Sequence, residues 1–134
     1  MKKILFFILI PTIGFCQTSF STEYVETCAW NVSNQVWEDV CSNQKEENSL
    51  FVMNNSETMF THTTSDMKST YYVKEADYSE EQAEELLFLY NVVSDTGNEY
   101  YYIFDMTNKE VRAVSTNGEE EDWFLVRWYV KAIF

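Results

Sequence analysis

Apolar and polar positions alternate most regularly near the end of the chain. From Phe124 onward the even positions read Phe124, Val126, Trp128, Val130, Ala132 and Phe134, while Arg127, Tyr129 and Lys131 stand among the odd ones. Successive side chains on a strand point to opposite faces, so this segment predicts a strand with a buried even face and a mixed outer one. Residues 100–105 and 111–116 predict a hairpin around 106–110, where Asn108 supplies turn chemistry and Asp105 and Arg112 face each other as a cross-strand ion pair. Residues 86–94 lead through 95–98 into the tyrosine-rich strand, and Gly97 supplies a positive φ at low cost. Asn117 and Gly118 give a type I′ turn signal before the last strand. Upstream, 50–53 and 58–63 bracket an Asn54, Asn55 turn, and 69–74 is a further strand.

One segment has a different period. Ser79 followed three residues later by Gln82 forms a capping-box pattern, and Glu80 and Glu81 suit the positive end of a helix dipole. A short helix is therefore expected over about 80–85, handing over to strand near Leu86. The fold class that follows is all-β: an antiparallel meander of about 7–9 strands with one short helix, closed as a small barrel or folded as a two-sheet sandwich.

The first residues follow neither period. Lys2 and Lys3 precede an apolar run over 4–10, Pro11 breaks it, and Gly14 and Cys16 stand before a cut ahead of Gln17. That is the anatomy of a secretory signal peptide over 1–16, with a single β-rich domain over 17–134 and a periplasmic or secreted destination. A lipidated Cys16 would need a small residue before it, and Phe15 occupies that place. Loss of the leader removes Cys16 and leaves Cys28 and Cys41, an even number suited to an oxidising compartment. If Asn34 and Gln35 form a two-residue loop, Cys28 lies opposite Cys41 in a non-hydrogen-bonded pair, close enough for a disulfide. Trp30 and Trp37 would then share the cysteines' face.

Charge narrows the partners. The chain carries 22 acidic and 9 basic side chains, a net charge of −13 that deepens once Lys2 and Lys3 leave. Phosphate binding needs Lys and Arg, so nucleic acid and anionic membrane surfaces are disfavoured, and basic proteins or cations are the partners the charge suits. With only 3 glycines, no Gly-rich phosphate cradle is available.

Candidate catalytic and metal-binding chemistry is sparse. His62 is the only histidine, nothing near it identifies a nucleophile or an orienting carboxylate, and it reads as a partly buried or surface residue. The run Glu119, Glu120, Glu121, Asp122 lacks the spacing of a calcium loop and reads as a solvated turn, as do Asp95 and Glu99. No carboxylate pair stands out for hydrolysis. Tyr71, Tyr72, Tyr100, Tyr101 and Tyr102 suit stacking on a sugar or lining an apolar pocket, and equally suit half-buried strand positions. No cofactor, metal ligand or catalytic residue is assigned.

Two resemblances follow. The terminal alternation ending on Phe134 resembles the closing strand of an outer-membrane β-barrel, over about the last eleven residues. The remaining segments are shorter than such barrels need and carry charge, Asn or Thr, so membrane insertion is not expected. The barrel architecture resembles that of the lipocalins, but Cys28 and Ala29 precede Trp30 where that family has Gly–x–Trp, and no ligand or site residue is carried over. The expected function is non-catalytic binding of a small apolar ligand or glycan. The alternative is an acidic interaction module, inhibitor or immunity-like, for a basic protein.

Overall fold

The computed structural model describes residues 17–38 and 41–134. The leader expected over 1–16 lies outside the described residues. The strands are β1 (Thr18–Asn31), β2 (Val36–Trp37), β3 (Ser42–Met53), β4 (Met59–Thr63), β5 (Lys68–Ala76), β6 (Leu87–Ser94), β7 (Glu99–Asp105), β8 (Glu110–Ser115) and β9 (Phe124–Ile133). Among the described residues one helix, α1 (Glu80–Glu84), lies between β5 and β6, and a 3-10 turn (Glu120–Asp122) precedes β9.

Every strand pairs antiparallel with its neighbours in the order β2-β1-β3-β4-β5-β6-β7-β8-β9, and β1 also pairs with β9. That last pairing closes β1 and β3 to β9 into an eight-stranded up-and-down barrel, with β2 an extra strand on the far end of β1. Closure pairs each of the eight ring strands on both sides, and the chain end is tied in where the Ser19 amide donates to the Phe134 carbonyl at 2.7 Å and the Phe134 amide to the Ser19 carbonyl at 2.9 Å. The barrel, rather than the sandwich, is the form the meander takes.

An interior of eight strands is just wide enough for side chains to fill, and aromatic residues fill this one. Phe51, Phe60 and Phe104 are at most 1% exposed. Phe104 stands within 5.1–6.2 Å of the rings of Phe20, Phe51, Phe60, Tyr90 and Tyr102. Val25, Met53, Tyr71, Val92, Val111, Ala113, Trp128 and Val130 complete the same cluster. Apolar side chains thus face inward, the reverse of the polar lumen of outer-membrane barrels.

Several local expectations need correction. The buried face of β9 is Trp128 and Val130, but it does not extend to Ala132 and Phe134, and Phe134 is 69% exposed. The pairing steps from Thr22↔Val130 to Ser21↔Ala132, so Lys131 is an extra residue that inverts the faces. Ile133 then packs on the core instead. The first hairpin turns through four residues, 32–35, with Trp30 opposite Trp37, because Gln35 takes φ 55 and its amide donates to the Asn31 carbonyl. Thr27 nevertheless pairs with Ser42, the register that the two-residue loop required. Residues 116–123 join β8 to β9 through the 3-10 turn, so Asn117 and Gly118 do not form a tight hairpin, although Gly118 has φ 77. Asp105 and Arg112 do pair, at 3.4 Å, but diagonally: Asp105 is opposite Glu110 and Arg112 opposite Ile103.

Candidate functional site

Two depressions among the described residues differ in kind. The first lies at the barrel end where β1 begins and β3 and β7 finish. It is a cavity of about 380 Å³ whose apolar wall comes from Phe20, Met53, Leu86, Phe88, Phe104 and Met106. Asn54, Asn55, Glu57, Tyr78 and Tyr90 supply its polar groups. Concave, mostly apolar sites with a few converging polar groups are the usual form of small-molecule sites.

Two turns build this mouth. The β3–β4 turn is braced by Asn54, whose side-chain oxygen accepts the Thr58 and Met59 amides at 2.9 and 3.2 Å. Glu57 sits in that turn at φ 55. On the other side runs the segment from β5 to β6. Ser79 caps α1 by accepting the Gln82 amide at 3.2 Å while the Gln82 side chain accepts the Ser79 amide at 2.9 Å, the reciprocal box its sequence predicts. Leu86 ends the helix at φ 60, where glycine usually stands. Its carbonyl accepts the Met106 amide at 3.0 Å, and the Glu85 carbonyl accepts the Thr107 hydroxyl at 2.8 Å, which ties the helix end to the β7–β8 turn. Two non-glycine residues in the left-handed region thus line one cavity, and such strain tends to gather at functional sites.

At its centre the Tyr78 and Tyr90 hydroxyls both donate to Glu57 Oε1, at 2.6 and 2.5 Å. Burial and the neighbouring Glu57 carboxylate push the Tyr78 phenol up to about 12 and raise Tyr90 further still. Both phenols therefore keep their protons and act as donors.

The second depression is a groove of about 580 Å³ on the outer wall, lined by Glu23, Tyr24, Glu26, Gln44, Glu46, Asn48 and Tyr129. Glu26 is only 4% exposed and accepts from Gln44 (2.7 Å), Arg127 (2.9 Å) and Tyr129 (2.7 Å). Burial pushes its carboxyl up, but those hydrogen bonds and the Arg127 charge hold it below the usual carboxylate range. The chain's only arginines, Arg112 and Arg127, lie directly opposite each other on β8 and β9. Asp105 and Glu110 contact Arg112, and Glu110 and Glu26 contact Arg127, so carboxylates separate the like charges.

The residues singled out by sequence distribute differently. Cys28 and Cys41 are joined as a disulfide with a Cα–Cα distance of 4.3 Å, as the strand pairing requires. They pack with Leu125, Trp37 and Val114 in a small cluster on the outer wall, apart from the main core. Glu26 is near both sulfurs, but sulfurs bonded to each other offer no thiolate to a metal. His62 is 5% exposed, more buried than its sequence position suggests. It is stacked on Phe51 with ring centroids 4.0 Å apart and lies 5.1 Å from Trp128. Tyr71 and Tyr102 belong to the core, Tyr72 points outward at 49% exposure, and Tyr100 and Tyr101 line a separate depression beside Lys74 and Glu99, so none of the tyrosines singled out lines the mouth. Glu57, Tyr78 and Tyr90 went unnoticed because only the barrel brings them together. Tyr90 and Glu57 are 33 residues apart, and no local pattern links them.

The fold defines the class: an antiparallel eight-stranded barrel with a packed interior, a helix-flanked mouth and an outer disulfide. No protein-family model, no curated protein and no solved structure matches the chain. The disulfide points to a non-cytosolic setting.

Proposed function

We propose that this chain is an exported, non-catalytic binding protein that seats a small, largely apolar molecule in the mouth of the barrel. The supporting observation is the mouth itself: an apolar cavity of about 380 Å³ with one carboxylate and two phenols converging in it. The interior is taken up by side chains, so the ligand sits across the barrel end rather than inside it. Residues 1–16 act as the leader, and the mature protein begins at Gln17 in the periplasm or the medium. Native mass spectrometry of protein purified from its host tests the address: a mass starting at Gln17, two hydrogens light, agrees, and a lipid on Cys16 contradicts it.

Titration with the neutral probe N-phenyl-1-naphthylamine tests the site. Its fluorescence rises with wild type and not with Met106→Glu, which replaces part of the apolar wall with a second carboxylate. Equal binding by both proteins would overturn the reading.

The alternative, an acidic module that docks a basic protein, draws support from Glu23 and Glu46 beside Tyr24 and Tyr129 in the outer groove. Its test is capture from host envelope fractions. A basic polypeptide retained by wild type, released by salt and not retained by Glu23→Lys/Glu46→Lys, would favour it.

A further inference from the structure

Among the described residues, the mouth carries a charge that no neighbour balances. Its lining includes Glu57 and no lysine, arginine or histidine. The ion pairs among the described residues are made by Glu26, Glu47, Glu99, Asp105 and Glu110 instead. The side-chain partners of Glu57 are two neutral phenols that share Oε1, and Oε2 has no hydrogen-bond partner among the described residues. A half-buried carboxylate held in this way favours the arrival of a positive group.

Aromatic rings line the same cavity as Glu57, at steep angles to one another. Tyr78 meets Phe88 at 5.1 Å and 85°, Tyr78 meets Tyr90 at 5.7 Å and 79°, and Tyr90 meets Phe104 at 5.8 Å and 71°. Rings at such mutual angles cannot all lie edge-on to one point, and ring faces attract cations. Leu86 and Met106, without polar side chains, extend the wall away from the carboxylate. The net charge of −13 favours the approach of a cation and opposes an anion of the same shape.

We infer that the mouth binds an organic ammonium ion with an apolar body, its head against Glu57 and the rings of Tyr78 and Tyr90, its hydrocarbon part along Leu86 and Met106. This rests on the proposed role of the mouth as the binding site, and the test separates the two.

Isothermal titration compares octyltrimethylammonium with octan-1-ol and octanoate, below their aggregation limits. The ammonium binds wild type about tenfold or more tighter than the alcohol, the amount expected of one carboxylate and one ring face, and octanoate does not bind. Glu57→Gln, which still accepts the phenol protons, lowers ammonium affinity about tenfold and leaves the alcohol unchanged. Glu46→Gln in the outer groove changes neither. Equal affinity of ammonium and alcohol for wild type overturns the inference while the apolar site stands. Loss of ammonium binding in Glu46→Gln rather than Glu57→Gln also overturns it. Binding of none of the three probes overturns both readings, and the wild-type comparison decides even if Glu57→Gln folds poorly.

Discussion

Acidification should expose the cost of burying His62. The imidazole is 5% exposed, stacked on Phe51, edge-on to Trp128, and its Nε2 has no hydrogen-bond partner among the described residues. Burial pushes its pKa from 6.5 down to about 4, with the Glu47 charge opposing. A group lowered on folding binds protons in the unfolded chain first, so stability is full above the unfolded value and falls as pH drops toward the folded one. The complete effect is about 3 kcal/mol, and by about pH 5 roughly 2 kcal/mol of it is already lost. Glu26 acts in the same direction but lower, because its carboxyl is held below the usual range. The assay is urea unfolding at about pH 7.5 and about pH 5 for wild type and His62→Phe. Comparing each protein with itself at the two pH values cancels the packing change. Wild type should lose about 2 kcal/mol more than His62→Phe over that interval. Equal losses, or a titration of His62 near 6.5 by NMR, would refute the reasoning.

Four further outcomes follow from the same structure. Cys28→Ser/Cys41→Ser should unfold with about 3 kcal/mol less stability, as loop entropy predicts for a closed loop of this size, measured by denaturant titration. Phe104→Ala, which removes a ring touching five others, should cost about 3–5 kcal/mol in the same assay. Ser79→Ala should remove about 1 kcal/mol by uncapping α1, read as faster amide exchange at Gln82. Leu86→Gly relieves the left-handed backbone, so thermal unfolding should show a gain of about 1 kcal/mol, while the lost side chain weakens probe binding at the mouth.

Much of the barrel was legible along the chain because alternation and turn chemistry are local. The meander, the α1 capping box, the Gly97 turn at φ 90 and the Cys28–Cys41 bridge all follow from spacing. What misled was also local. Lys131 and Glu23 enter as extra residues that switch strand faces, and no composition signal marks such a bulge. Gln35, Glu57, Leu86 and Lys109 adopt positive φ without being glycine, so the turns were placed by neighbouring Asn and strand spacing while their backbone form was not legible. His62 looked ordinary because the rings that bury it come from β3 and β9. The mouth was hidden for the same reason, since Glu57, Tyr78 and Tyr90 belong to separate elements that meet only after closure.

The most direct test of the mouth as the binding site is a titration of the ¹⁵N-labelled protein with octyltrimethylammonium, followed by amide shifts. Perturbations should centre on residues 54–58, 78–90 and 104–106, around the cavity lined by Glu57, Tyr78 and Tyr90. Shifts confined to Glu23, Gln44, Glu46 and Tyr129 would place binding in the outer groove and contradict the account.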